Sequence, residues 1–211
     1  DGIDIAPEDF LELAKTSHSV HLIDRAIAQE CYEFLSLAHD KGIAIPRVSL
    51  NTTAASFDDA ALYDWFKKLN EIGQTTISLE LSEPAVADAT AEQLSWKLQE
   101  LRDQNIEAEI DDFGTGQFSI HGLMSLKPDR LKISKHIVQP ITESASARSV
   151  FTAIMDISRA IEIDPIAEGV ETRQQADALI EMGGHVHQGY LYAEPMTADE
   201  LLEYLSDRAA A

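Results

Sequence analysis

Acidic and amide side chains recur at the ends of successive apolar runs in this chain, most sharply in Asp111-Asp112-Phe113-Gly114-Thr115-Gly116. The run before it, Glu107 to Ile110, reads as a strand that the two glycines break into a loop. Neighbouring side chains on a strand point to opposite faces, but where a strand ends in a glycine turn two adjacent carboxylates can swing toward one point. Two acids aimed at one centre repel unless cations lie between them, so the pair suits a metal site. Asn51, Glu80, Lys132, Glu168 and Gln188 stand at comparable places, each at or just past the end of an extended run. Oxygen donors without His or Cys favour Mg2+ or Mn2+ over Zn2+. Two such ions about 3.5–4 Å apart, sharing a carboxylate, form a clamp for displacement at a phosphodiester. A lysine beside the cluster stays charged and can hold a water or a phosphate oxygen.

The elements that must position these residues alternate along the chain. Helical spacing marks Pro7 to Lys15, His21 to His39, Asp58 to Ile72, Thr90 to Asp103, Phe118 to Ser125 and Glu143 to Ile161, with a further helix capped by Thr172 and running to Met182. Gly42, Gly73 and Gly183 read as stops. Thr90 to Gln93 and Thr197 to Glu200 have the spacing of capping boxes, the second opening a helix over Leu201 to Ser206. Extended runs lie between: Arg47 to Leu50, Thr75 to Leu79, Glu107 to Ile110, Pro128 to Leu131, Asp164 to Ala167 and His185 to His187. About six βα units imply a parallel sheet. In an open sheet the polar strand ends would spread along a line, whereas in a closed barrel they share one rim, so the expected fold is an α/β barrel of the (β/α)8 type.

Composition narrows the ligand. The 211 residues, 45% of them hydrophobic, suffice for one domain, 1–211, with a tail at 207–211. A net charge of -21 argues against DNA, RNA or anionic lipid as partners. It leaves room for a small phosphate ligand bridged by cations. No apolar run reaches the roughly 20 residues of a membrane helix. The single cysteine, Cys31, excludes an internal disulfide and reads as a small buried side chain rather than a reactive thiol. Met124, Met155, Met182 and Met196 read as core filling, and His185 and His187 as half-buried polar residues.

Taken singly, each strand-end residue is a common cap, turn or solvated charge; their repetition through successive units supports a joint site. Four segments make the chain resemble the EAL domain, a cyclic di-GMP phosphodiesterase module of bacterial signalling proteins: Ser49-Leu50-Asn51, Leu79 to Glu83, Asp111 to Gly116, and Ala167-Glu168-Gly169-Val170-Glu171. Leu131-Lys132-Ile133, Gln188-Gly189-Tyr190 and Pro195-Met196 add to the resemblance, which runs from about Ile5 to about Leu205. It implies a barrel that cuts cyclic di-GMP to the linear dinucleotide with two Mg2+ or Mn2+ ions. Asn51, Glu80 and Asp111 would hold one ion, and Asp111, Asp112 and Glu168 the other. Lys132 would position the water, with Glu168 an alternative base and Asp112 essential to turnover. Glu171 would support the cluster from behind, Glu83 would tether the loop after Asp112 near a dimer contact, and Gln188 would face the substrate. The resemblance also implies a homodimer, a cytoplasmic domain without membrane contact of its own, and a parent protein with further signalling domains and, in some cases, a membrane anchor.

Three departures from the family pattern stand out. The Glu-Ala-Leu segment that names the family, with about two barrel strands, is expected upstream of Asp1, and the chain without them is expected to be unstable and inactive on its own. Ser134 stands where an acid usually follows the lysine by two positions, and only Ser119 is kept in the loop after Gly116. These departures keep a non-catalytic cyclic di-GMP receptor as the alternative to an enzyme. An enolase-type catalyst using Lys132 and Lys135 is a weaker rival, because adjacent Asp111 and Asp112 fit two metals better. A purely structural barrel leaves the rim charges without a purpose.

Overall fold

The strands alternate in a way that separates two environments. Val48 and Leu50, Ile77, Leu79 and Leu81, Ile106, Ala108 and Ile110, and Leu131 and Ile133 form one row; Arg47, Ser49 and Asn51, Ser78, Glu80 and Ser82, Glu107, Glu109 and Asp111, and Arg130 and Lys132 form the other. In the computed structural model, which describes residues 7–17, 19–53, 56–57, 59–72, 75–83, 91–116 and 119–209, the apolar row is almost wholly buried in one continuous core. That core takes in Ala28 and Leu35, Leu62, Phe66 and Leu69, Leu98 and Leu101, and Phe151 from the helices. Each large side chain so buried contributes about 1.5–3 kcal/mol.

Helices α1 (Pro7–Thr16) and α2 (Val20–Asp40) precede strand β1 (Arg47–Thr52). Then come α3 (Ala60–Asn70), β2 (Thr76–Ser82), α4 (Ala91–Arg102), β3 (Ile106–Phe113), α5 (Ile120–Leu126) and β4 (Arg130–Ile133). A short helix α6 (Lys135–Val138) and a 3-10 turn (Gln139–Thr142) lead to α7 (Ala145–Ala160), β5 (Asp164–Ala167), α8 (Arg173–Glu181) and α9 (Ala198–Ala209). The sheet runs β1-β2-β3-β4-β5, every pair parallel. A parallel bridge from Ala167 to His187 adds a sixth position.

The polar face is concave. Arg47 on β1 reaches Glu107 and Glu109 on β3, and Lys132 on β4 reaches Glu80 on β2, each across an intervening strand. Side chains meet across a strand only where the sheet curls toward closure. The sheet and its helices form the α/β architecture of a TIM-type barrel, with the polar row inside and the helices outside.

Most expected elements stand where the sequence places them. Asp59 caps α3 through the amide of Ala61, Ser144 caps α7, and Thr172 with Gln175 forms a true capping box. Thr197 and Glu200 make the reciprocal bonds expected of them. Gly73, Thr90 and the loop residues Gln117 and Phe118 lie outside the described residues. Three expectations need correcting. The tail is helical through Ala209, because Leu202 is buried and anchors α9. Met124 is 52% exposed, on the outward side of a seven-residue helix whose inward side is filled by Leu123 and Leu126. The sequence reading also lacks α6, which Ser134 caps by accepting from the amide of His136.

Candidate functional site

Asp111 and Asp112 lie inside β3, before the glycine turn. Ile110 pairs with Leu131 and Phe113 with Ile133, so two residues of β3 oppose the single Lys132 of β4. This is a β-bulge, a device that re-aims side chains beside active sites. Asp112 adopts φ +54°, a left-handed conformation that Asp tolerates better than most residues. Its carbonyl accepts from the Thr115 hydroxyl at 2.9 Å. The bulge therefore does what the sequence reading assigns to a glycine turn: it puts consecutive carboxylates at one rim.

Lys132 is the hub. Its Nζ lies 2.7 Å from Glu80 Oε2, 2.8 Å from Asp111 Oδ1 and 2.9 Å from Glu168 Oε1, while the residue is only 3% exposed. Burial works against the ammonium, but the three carboxylates outweigh it and hold the Lys132 pKa above its ordinary value. Asp111 Oδ1 lies at charge-assisted hydrogen-bond distance from Nζ and helps to hold the ammonium in place. Burial pushes Glu168 up to about 7, with repulsion from Asp111 and Asp112 adding to it and Lys132 opposing. Burial also raises Glu80, against the pull of Lys132. Asn51 pairs in register with Glu80 on the neighbouring strand, so its carboxamide belongs to the same rim.

Supporting contacts fix the loops. Glu83, 1% exposed, accepts from the successive amides of Gly114, Thr115 and Gly116 at 3.0, 3.2 and 3.1 Å. A Cβ at Gly116 would sit 3.0 Å from the Glu83 carboxylate and would press it back by a few tenths of an ångström. The Ser134 hydroxyl donates to Asp112 Oδ1 at 3.2 Å. Glu171 is exposed, accepts from Gln139 Nε2 at 3.0 Å, and lies on the wall of a cleft rather than behind the carboxylates.

That cleft, of about 460 Å³, is lined by Asp111, Asp112 and Glu168 together with Gln188, Gly189 and Tyr190. Lys135, Gln139 and Glu171 form its wall. Gln188 is exposed there, and Tyr190, at 62% exposure, presents a free aromatic face. The candidate roles of the sequence reading omit Tyr190 and Gln139; the aromatic beside Gln188 is a signal that could have found the first. Cys31 is half-buried and burial pushes its thiol up to about 11, in keeping with an inert side chain.

The donor set suits hard divalent cations. Around the rim stand Glu80, Asp111, Asp112 and Glu168 against the one ammonium of Lys132. Among the described residues no three acid, imidazole or thiol groups are drawn together at the spacing of a preformed metal site, since three of these acids close on Nζ instead. The excess of carboxylates and the raised Glu168 call for more positive charge.

Comparison with known proteins agrees with the residues. The family described as "EAL domain" matches residues 1–195. The chain is 30% identical over 202 residues to the bifunctional diguanylate cyclase/cyclic di-GMP phosphodiesterase MucR of Pseudomonas aeruginosa, an alignment covering 94% of this chain and 29% of that protein. The chain thus spans under a third of that relative's length. A solved structure of the PaMucR phosphodiesterase in complex with c-di-GMP superposes with a TM-score of 0.81 at 28% identity, covering 93% of this chain and 81% of that one. A manganese/cy-diGMP complex of Klebsiella pneumoniae BlrP1 shares the fold, with a TM-score of 0.73 at 24% identity over 92% of this chain and 47% of that one. Among the described residues no helix is long and apolar enough to cross a membrane.

Proposed function

This chain belongs to the EAL domain family, and from that membership we propose that it hydrolyses one phosphodiester bond of cyclic di-GMP to give the linear dinucleotide. The observation that carries the reading is the meeting of Glu80, Asp111 and Glu168 on one buried ammonium, with Asp112 on the bulge beside them. Asn51, Glu80 and Asp111 would hold one divalent cation, and Asp111, Asp112 and Glu168 the other, with Mg2+ or Mn2+ as the ions. When bound, such ions polarise a phosphoryl oxygen and acidify a water molecule. Lys132 keeps its proton throughout and donates to the attacking water or to a phosphate oxygen. Glu168 is the alternative base: burial raises it without cations, and a bound cation would keep it ionised and able to accept a proton. Gln188 and Tyr190 give the guanine a hydrogen-bonding amide and a stacking face. Glu83 holds the loop that follows Asp112 in one conformation.

Incubating the purified protein with cyclic di-GMP and Mg2+ or Mn2+, and separating the products by chromatography, tests this. The linear dinucleotide should form, chelation should stop it, and Asp112→Asn or Glu168→Gln should lower turnover by roughly 10²-fold or more. Unchanged rates in both variants would refute the assignment. One observation favours a second reading, a receptor that binds without cutting: Ser134 brings a hydroxyl to Asp112 where the family pattern has an acid. Binding with no product in excess Mg2+ would select it. The proposal extends to a cytoplasmic domain attached to further signalling domains. It would pair as a homodimer through exposed Trp96, Ile120 and Met124 on α4 and α5.

A further inference from the structure

The cleft raises an electrostatic question that the metal ligands leave open. A cyclic dinucleotide carries two phosphates on opposite sides of one ring. Cations held by Asp111, Asp112 and Glu168 would neutralise the phosphate being cut. The other phosphate would then face a wall that already includes Glu171, and an anion next to an uncompensated carboxylate is repelled.

Lys135 is the one basic side chain among the described residues bordering the cleft. It is exposed, and among the described residues no carboxylate forms an ion pair with it. Glu171, on the same wall, accepts from Gln139 Nε2 through one oxygen and forms no ion pair with Lys135. The root of Lys135 is fixed: it begins α6, and its stem runs past Gly169 so closely that a Cβ there would lie 2.5 Å from Lys135 Cβ. Gly169 has φ +66° and directly follows Glu168, so the segment that carries the candidate ligand also seats the lysine. The result is a cation with a fixed root and an exposed head, lining the same cleft as the carboxylate cluster without pairing with it.

We propose that Lys135 is a specificity-determining residue that binds the second, uncut phosphate of the dinucleotide. It would thereby select ligands with two phosphates over ligands with one. This deepens the proposed function and rests on it, for it names which part of the substrate the cleft wall recognises. Lys135 would take no part in bond breaking; its ammonium would offset a phosphate charge that the ions leave unbalanced.

Two measurements on the full chain test this. The first is the affinity for cyclic di-GMP in Ca2+, whose longer bonds to oxygen suit binding better than water activation, read by titration calorimetry. Lys135→Gln should raise Kd about tenfold and flatten its dependence on salt, and Lys135→Arg should restore both. The second is the ratio of kcat/KM for cyclic di-GMP to that for bis(p-nitrophenyl) phosphate, a diester with a single phosphate. The ratio should fall about tenfold in Lys135→Gln. Melting curves that match wild type would show that the exposed substitution leaves the fold alone. Equal affinity in wild type and Lys135→Gln would overturn the inference while leaving the proposed function standing, and so would a parallel loss on both substrates. A wild-type protein that neither binds nor cuts cyclic di-GMP would overturn both.

Discussion

Two layers of charge sit inside this barrel, one residue pair apart on the same strands, and they are balanced differently. In the lower layer Arg47 pairs with Glu107 and lies 3.6 Å from Glu109, Ser49 donates to Glu109 at 3.3 Å, and Arg130 stands nearby. Two arginines face two glutamates, and the layer is close to neutral. In the rim layer Lys132 alone faces Glu80, Asp111 and Glu168, with Asp112 alongside. Burial does not distinguish the layers, since Glu109 is 1% exposed and Glu80 9%. Charge balance does. The lower layer balances its charge with side chains of its own, even though Glu109 Oε1 and Arg130 Nε make no directed hydrogen bond, whereas the rim carries more carboxylate than ammonium.

Removing one cation from each layer is the largest way to break this comparison. Lys132→Met leaves the rim carboxylates facing each other, and loss of one partner from a buried charge cluster costs about 3–5 kcal/mol. The melting temperature without divalent ions should fall accordingly, and added Mg2+ should recover more of it than in wild type. Arg47→Met should cost less, about 1–3 kcal/mol, because Arg47 is partly exposed and Ser49 still donates to Glu109. Mg2+ should not recover that loss. Equal responses to Mg2+ in the two variants would erase the distinction between the layers.

The next effect is a pH dependence to which the rim contributes through Glu168. Glu168 has a folded-state pKa of about 7 against an ordinary value of 4.5, so the folded protein holds this proton more tightly than the unfolded chain. Its contribution to stability is therefore present below pH 4.5 and lost as the pH rises through about 7. Glu80, also raised by burial, acts with the same sign. In chelator, stability should fall across this window, and Glu168→Gln should flatten the fall. With Mg2+ the sign should reverse, because cation binding favours the ionised acids and releases protons. A wild-type profile that coincides with that of Glu168→Gln in chelator would remove Glu168 as the source.

The difference between the layers also explains what the sequence reveals. Rim residues end apolar runs, so Asn51, Glu80, Asp111, Lys132 and Glu168 stand out, and the alternation of runs and helices yields the barrel. The lower layer is less visible. Arg47, Glu107, Glu109 and Arg130 lie inside short strands or at their starts, where a single charge reads as noise until the register aligns it with its partner. The bulge is hidden for a related reason: the mismatch of Ile110–Phe113 with Leu131–Ile133 is a property of two strands together. Gln139 goes unassigned, and Lys135 enters only through the weaker enolase reading, because α6 is too short to show a period.

Glu83 offers the smallest and finest test, a buried carboxylate that receives three successive amides where the rim acids receive an ammonium. Three N–H dipoles converging on one oxygen stabilise a carboxylate. Glu83→Gln keeps the size and an acceptor oxygen but removes the charge that strengthens these bonds. Charge-assisted bonds are roughly twice as strong as neutral ones, so the cost should be about 1–3 kcal/mol in stability. The effect should be local. Amide exchange should rise at Gly114, Thr115 and Gly116 and stay unchanged at Lys132 and Glu80, which Glu83 does not touch. Divalent ions should not correct it, because the missing charge belongs to a loop tether rather than to a site with carboxylates in excess. If Mg2+ restored protection at Gly114–Gly116, tether and rim would be one electrostatic unit, and the separation of self-satisfied from cation-requiring acids would have to be redrawn to place Glu83 with the rim.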